Sequence, residues 1–406
     1  MDNKTVCISF PKPCPRSLVD AALFVEYFKA NGWKISNSFK DADLILFGTC
    51  GFDKFSEDKS IQYLSIANRK KGIDTQLIAF GCLPAINETR LLKEFDVVTI
   101  TPRTYERLDE IINATVKLYQ VKDPNVLKNC RFGPKESLNI LDRLFVQSQL
   151  ARKYFNLAWT RMCLGKGPKP LYTRYQSIFN IRIAKGCMGE CSYCAVRFAY
   201  PPLSSKPIVS VLMEFYAGLK EGDKVFRLIA GDIGSYGQDI GTNICELLRN
   251  LFKKEEDFKL IWDDFNPEWL VRYFPELFDI ITKNSRRIGY IGFPIQSGSE
   301  KIIKSMKRDY LVGDVKKCIL TLKKASPELD ITTHVLIGFP GEEDIDFVET
   351  IRFVKEVNFQ HIEVYRYSDR PNTSATQLPN KIPEKVKNKR LWRFCREFNS
   401  VSQMTG

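Results

Sequence analysis

Apolar residues along this chain fall into two alternating patterns. Short unbroken runs of strand length are separated by longer stretches in which apolar positions recur every three or four residues, as on one face of a helix. The first run is Thr5–Phe10, followed by a helical pattern from Leu18 to Ala30 that ends at Gly32. Asp43–Gly48, Gln76–Phe80 and Val97–Ile100 are further predicted strands, interleaved with helices over about Glu57–Lys71 and Tyr105–Tyr119. Repeated strand–helix order with fully apolar strands implies a parallel sheet covered on both faces. Residues 1–120 are therefore expected to form a doubly wound α/β domain.

Between Val121 and Tyr175 the rhythm breaks. Asn139 to Met162 reads as a linker helix whose stripe of Leu141, Leu144, Phe145, Ala151, Phe155, Ala158 and Met162 is expected to pack between domains. Docking of a substrate on that stripe is the alternative. Over residues 176–380 the alternation returns six times, with strands at Phe179–Ala184, Lys224–Ala230, Lys259–Trp262, Ile288–Pro294, Ile331–Ile337 and His361–Tyr367. Six such units predict an open (β/α)6 partial barrel, a relative of the eight-stranded barrel, with its chemistry at the carboxyl ends of the strands. Residues 381–406 hold a basic helix, about Glu384–Ser400, carrying Lys385, Lys387, Lys389, Arg390, Arg393 and Arg396.

Composition narrows the class. The chain has 406 residues, 44% hydrophobic and 27% charged, which suits a globular protein of two domains. Its apolar runs are of strand length, and Met1-Asp2-Asn3-Lys4 leads into the first strand without an apolar leader. Twelve cysteines are too sparse for a secreted disulfide scaffold, so a reducing cytoplasm is expected. The net charge of +13 would serve a nucleic acid, an acidic peptide or mere solubility, and does not choose among them.

The cysteines carry the chemistry. Cys187, Cys191 and Cys194 are spaced C-x3-C-x2-C directly after the first barrel strand. Three thiolates can hold three irons of a [4Fe-4S] cubane and leave the fourth open to a small molecule. A zinc site competes, but zinc wants a fourth ligand and the chain has two histidines. Cys14, Cys50 and Cys82 each follow a strand of the first domain, at the edge where open α/β sheets bind ligands. A second cubane is the functional reading; three unrelated core cysteines are the bland one. Cys7, Cys130, Cys163, Cys245, Cys318 and Cys395 read as structural, and His334, mid-strand, as a core histidine.

The C-x3-C-x2-C motif, with Tyr193 before its last cysteine, resembles the radical S-adenosylmethionine (SAM) superfamily. Further motifs resemble one branch of it, the radical SAM methylthiotransferases: Cys14 with Asp20, Gly48-Thr49-Cys50 and Phe80-Gly81-Cys82 in the first domain. In the barrel they are Gly231–Asp239, Pro294–Ser299 with Met306-Lys307-Arg308, Gly338–Glu342 with Asp346-Phe347, and Arg370–Thr373. The resemblance implies two [4Fe-4S] clusters on the six cysteines and two uses of SAM. One makes a 5′-deoxyadenosyl radical and the other methylates cluster-bound sulfur. It implies SAM contacts at Tyr193, Gly231, Asp232, Gln296, Ser297, Gly338 and Gly341. An external electron donor such as flavodoxin or ferredoxin, and a sulfur donor, are implied partners. A monomer without membrane association is expected.

Two departures shape the expected substrate. The family's small C-terminal β-barrel RNA-binding (TRAM) domain has no counterpart in the strand pattern after Asn380, and the Val121–Tyr175 linker is long. Trp262-Asp263-Asp264-Phe265 also stands where Arg and Gly are common, either meeting substrate or forming a solvated loop. These point to a methylthiotransferase acting on a ribosomally made peptide. The alternatives are a tRNA substrate, with the basic helix in place of the missing domain, and an iron–sulfur or sulfur-carrier protein without radical turnover.

Overall fold

Backbone pairing sorts the strands into two parallel sheets. The computed structural model describes residues 4–10, 14–125, 139–155, 169–398 and 401–403. Its first sheet contains β1 (Thr5–Ser9), β2 (Lys34–Ser36), β3 (Leu44–Thr49), β4 (Gln76–Gly81) and β5 (Val98–Ile100), in the order β2-β1-β3-β4-β5. Every neighbouring pair is parallel. The order reverses between β1 and β3, where loops leaving the carboxyl ends part and open a crevice. Helices α1 (Pro15–Ala30), α2 (Lys54–Lys70) and α3 (Cys82–Glu94) follow β1, β3 and β4. Alternate strand residues feed two apolar layers, Val6, Ile8 and Leu46 beneath α1 and Ile45, Phe47 and Leu77 beneath α2. That two-sided burial is why these strands read as unbroken apolar runs.

The helix expected over Tyr105–Tyr119 is broken. A 3₁₀ turn (Tyr105–Arg107) and one helical turn (Leu108–Ile111) are followed by a second 3₁₀ turn at Leu118–Gln120. Asn113 adopts a left-handed φ of 52°, and Asn31 Oδ1 accepts the N–H groups of Thr115 and Val116 (2.8 and 2.9 Å). These tertiary bonds replace the helical ones.

The second sheet comprises β6 (Phe179–Arg182), β9 (Val225–Ile229), β10 (Lys259–Trp262), β11 (Ile288–Gly292), β12 (Ile331–Ile337), β13 (His361–Arg366) and β14 (Val401–Gln403). A small antiparallel hairpin pairs β7 (Ala184–Lys185) with β8 (Ser204–Ser205). The six expected barrel strands are all present, in parallel, in the order of the chain. The seventh, β14, extends the edge beside β13. At three residues it is too short to show an alternating pattern.

The linker helix spans Ile140–Lys153 and buries a different stripe from the one expected. Val146 (0% exposed) and Leu150 (6%) pack on the apolar layer beneath α2, whereas Leu141 is 71% exposed and Leu144, Phe145 and Phe155 also face outward. Polar contacts to α2 decide the orientation: Lys70 pairs with Asp142, and Asp58 takes Lys153 (2.6 Å) and the Tyr154 hydroxyl (2.5 Å). Ala158 and Met162 lie outside the described residues.

Buried charges join the two sheets' layers. Asp20 of α1 pairs with Arg182 of β6 at 2.6 Å and accepts the Tyr105 hydroxyl at 3.2 Å. Glu57 of α2 pairs with Arg370, beyond β13, and with Arg90. Buried charges are costly unless paired, so each pair penalises separation of its elements. Among the described residues no helix is long and apolar enough to cross a membrane.

Candidate active site

Each cysteine of the first set is held by a specific backbone feature. Cys14 caps α1, its N–H donating to Ser17 Oγ at 2.8 Å. Cys50 follows β3, and its N–H donates to Ser60 Oγ of α2 at 2.9 Å. Cys82 opens α3, placed there by Gly81, whose φ of 105° suits glycine and whose added Cβ would lie 2.5 Å from the Thr49 carbonyl oxygen. The Gly51 N–H donates to Cys82 Sγ at 3.0 Å. A hydrogen bond with Cys50, then burial, pushes the Cys82 thiol well above its ordinary range, with Cys14 adding to the effect. The structure thus gathers three cysteines separated by 36 and 32 residues in the sequence at one sheet edge.

The barrel set stands on the loop after β7. Ser192 anchors it, donating from its N–H to the Met306 carbonyl and from its hydroxyl to that of Ser305, both at 2.9 Å. The Gly189 N–H donates to Cys187 Sγ at 3.2 Å. Burial, then the Asp232 carboxylate, pushes the Cys187 thiol up to about 12. Burial and Cys191 likewise raise Cys194. The described cysteines at both sites are free of disulfides. Thiols raised by burial and by one another are poor isolated anions, and a bound cation relieves that repulsion. The donor sets therefore fit a cationic iron–sulfur core. Among the described residues no three His, Cys, Asp or Glu side chains are gathered for a single metal ion.

A cavity of about 200 Å³ is lined by the barrel cysteines and, from the first domain, by Arg16, Phe52 and Asp53. Tyr193, Gly231, Asp232 and Gln296 also line it. Tyr193 receives at its hydroxyl a bond from Arg308 Nη1 (3.0 Å), so its ring is fixed. Gly231 permits close packing: an added Cβ would lie 2.2 Å from the Gly186 carbonyl oxygen. Asp232, expected to meet a cation, has both carboxylate oxygens engaged. The N–H groups of Gly234 (3.0 Å) and Asn266 (3.1 Å) and the Trp269 indole (2.8 Å) donate to it, and burial nevertheless lifts it to about 6.

Three of the expected contact residues have other partners in this structure. Ser297 is buried against the helix Asp344–Val357, its hydroxyl 3.2 Å from Thr350 Oγ1. Gly338 makes room for the C-terminal helix, because an added Cβ would meet Lys387 Cγ at 2.4 Å. Gly341 forms a tight turn, φ 82°, whose N–H donates to Asn380. None of the three lines the cavity. Within the basic helix, observed at Glu384–Glu397, Lys387 and Arg390 are buried, bonded to the Tyr367 carbonyl (2.9 Å) and to Glu342 (2.7 Å).

Other cavity residues had no settled role in the sequence, where His334 read as a core histidine and Asp264 as either meeting substrate or solvated. His334 is not a core residue: it lines the cavity, with Nε2 3.1 Å from Glu363, which also accepts the Tyr365 hydroxyl at 2.7 Å. Burial opposes its charge, but Glu363 outweighs this and raises the imidazole to about 9. Arg308 places Nη1 3.9 Å from Cys191 Sγ and Nη2 3.0 Å from the Pro294 carbonyl. Asp263 turns inward to the Tyr290 hydroxyl (3.0 Å), whereas Asp264 lines the cavity with a φ of 52°. Asp264 is the cavity-facing member of the acidic pair noted in the sequence.

Comparison with known proteins agrees with this arrangement. Residues 181–354 match the radical SAM superfamily, and residues 12–101 match the uncharacterized protein family UPF0004. The ribosomal protein uS12 methylthiotransferase RimO of Geobacter sulfurreducens is 30% identical over 400 residues, covering 96% of this chain and 80% of that one. The human (Homo sapiens) threonylcarbamoyladenosine tRNA methylthiotransferase is 29% identical over 395 residues, covering 96% and 62%. Among solved structures, the radical S-adenosylmethionine methyltransferase TsrM from Kitasatospora setae superposes with a TM-score of 0.59 at 12% identity, over 92% of this chain and 77% of that one. That likeness concerns the fold alone.

Proposed function

Because this chain belongs to the radical SAM methylthiotransferase family, we propose that it replaces a C–H bond by C–SCH3 on a macromolecule, a ribosomally made peptide. The family's cofactors are S-adenosylmethionine and two [4Fe-4S] clusters. When bound they supply a radical that abstracts hydrogen and a methylated sulfur for transfer. In this reading Cys187, Cys191 and Cys194 hold one cluster and Cys14, Cys50 and Cys82 the other. Tyr193, Gly231, Asp232 and Gln296 border the SAM, and an external electron donor and a sulfur donor complete the cycle.

The observation that carries the reading is a single cavity bounded by the barrel cysteines and by loops of the first cysteine set. What these residues do is hold, orient and exclude water. Phe52, two residues past Cys50, lines the cavity and meets Tyr365 edge-on, ring centroids 5.3 Å apart. His334 keeps its proton shared with Glu363 and offers a charged donor to an entering acceptor group. Asp53 and Asp264 stand on the same wall as Arg16, Arg197, Arg308, Arg366 and Arg370, so its charge does not separate a phosphodiester from a neutral peptide.

A tRNA substrate is the second reading. Lys385, Lys389, Arg393 and Arg396 remain exposed on the C-terminal helix, beside the partly exposed Trp392. Reconstituted protein should bind about eight irons per chain, and about four once Cys14, Cys50 and Cys82 are Ala. A wild-type count that stays at one cluster would overturn the methylthiotransferase assignment of the first cysteine set. Mass spectrometry of peptide and tRNA pools for a methylthio adduct decides the substrate. An adduct confined to nucleosides replaces the peptide with tRNA.

A further inference from the structure

Arg16 stands two residues past Cys14, in the first turn of α1, and reaches into the cavity that the barrel cysteines line. Its guanidinium lies over the Tyr200 ring, 5.5 Å from the centroid. Tyr200 comes from the barrel segment and is itself within electrostatic reach of Cys14 and Cys82. The carbonyls of Pro201 and Pro202, next along the chain, abut Gly186, which precedes Cys187. The stacked pair therefore joins the helical turn after Cys14 to the cavity that the barrel cysteines line. Arg16 is within electrostatic reach of Cys14 and Cys194, with Asp264 as its opposing carboxylate.

We propose that Arg16 is a positioning residue that sets the electrostatic potential of both cysteine sites at once, with Asp264 as its counterweight. The inference rests on the two-cluster reading above. One electron added to either centre adds one negative charge and no proton. A fixed cation in a partly buried cleft lowers the energy of that more negative product, and a fixed carboxylate raises it. A guanidinium suits the place because it stays protonated and stacks on an aromatic face. Asp264 can be neutralised without disturbing its backbone, since asparagine tolerates the left-handed conformation.

The test is a potentiometric titration of the full-length reconstituted protein with dithionite, followed by electron paramagnetic resonance. The two signals are assigned from the variants lacking either cysteine set. Arg16→Gln should move both midpoints to more negative potential, Arg16→Lys should restore part of the shift, and Asp264→Asn should move both the opposite way. Movement of one midpoint only, of neither, or an equal movement in the exposed control Lys220→Gln overturns the proposal. If Arg16→Gln loses iron, Asp264→Asn carries the test. Iron content separates the two levels of argument. About four irons in the wild type sinks the two-cluster reading, whereas about eight with midpoints indifferent to both substitutions sinks this inference alone.

Discussion

A methyl group added at Gly231 would fall 2.2 Å from the Gly186 carbonyl oxygen, a contact that backbone atoms do not tolerate, and 3.3 Å from Cys187 Cβ. The cysteine loop would have to move, since the end of β9 is packed in the barrel core through Leu228 and Ala230. Gly231→Ala should therefore leave the fold intact by circular dichroism and lower the iron bound at the barrel set. It should also slow turnover roughly 100-fold, the scale of an ångström-sized misplacement. Full iron content at wild-type rate would show that the loop does not depend on this contact. His334 offers a second test. Its imidazole is raised from 6.5 to about 9 by Glu363, against burial, with Asp263 and Asp264 adding to the effect and the Tyr365 ring packed beside it. A raised value means that the ion pair stabilises fully below about pH 6.5 and is lost as pH rises through about 9. Urea unfolding should show wild type more stable than His334→Gln at acid-neutral pH, and the difference should vanish above about pH 9. A difference independent of pH would assign the loss to packing instead.

The linker helix shows what an element's periodicity tells and what it omits. Leu150→Ala should destabilise by roughly 2–5 kcal/mol, as buried leucines do, whereas Leu141→Ala should change stability by no more than about 0.5 kcal/mol. Equal losses by thermal unfolding would restore the stripe read from the sequence. That reading went astray because this helix is oriented by charges, Asp142 to Lys70 and Lys153 to Asp58, rather than by its largest apolar face. The strands were legible for the opposite reason: buried on both faces, Leu44–Thr49 and Ile331–Ile337 have few alternatives to an apolar run. The cysteine loops were legible because strand–helix order alone brings Cys14, Cys50 and Cys82 to one sheet edge. Side-chain direction beyond a strand end was not. Gln296 takes a φ of 65°, so Ser297 turns from the cavity to Thr350, and nothing in the motif itself reports that turn. The convergence of the cavity's charges was equally hidden, because Arg16, His334 and Asp264 come together only through contacts between distant segments.

At the scale of the molecule, a cavity between two cysteine sets exists only while the two sheets stay apposed. Buried Asp20–Arg182 and Glu57–Arg370 pairs hold that apposition. Burial alone would raise Glu57, but Arg370 and Arg90 outweigh it and hold the carboxyl down from 4.5 to about 2. A depressed acid contributes stability that is complete above the unfolded value and lost as pH falls through the folded one. The interface should therefore be intact near neutrality and weaken between about pH 4.5 and about pH 2, before the apolar core beneath α1 opens. Hydrogen exchange should report this as early loss of protection in α2 and in the segment around Arg370, with β4 still protected. Glu57→Gln keeps the shape but removes the charge. It should weaken the apposition already at neutral pH, leaving Arg370 buried without its counter-charge, and flatten the acid dependence. If the acid dependence survives in that variant, carboxylates other than Glu57 govern the separation of the two sheets.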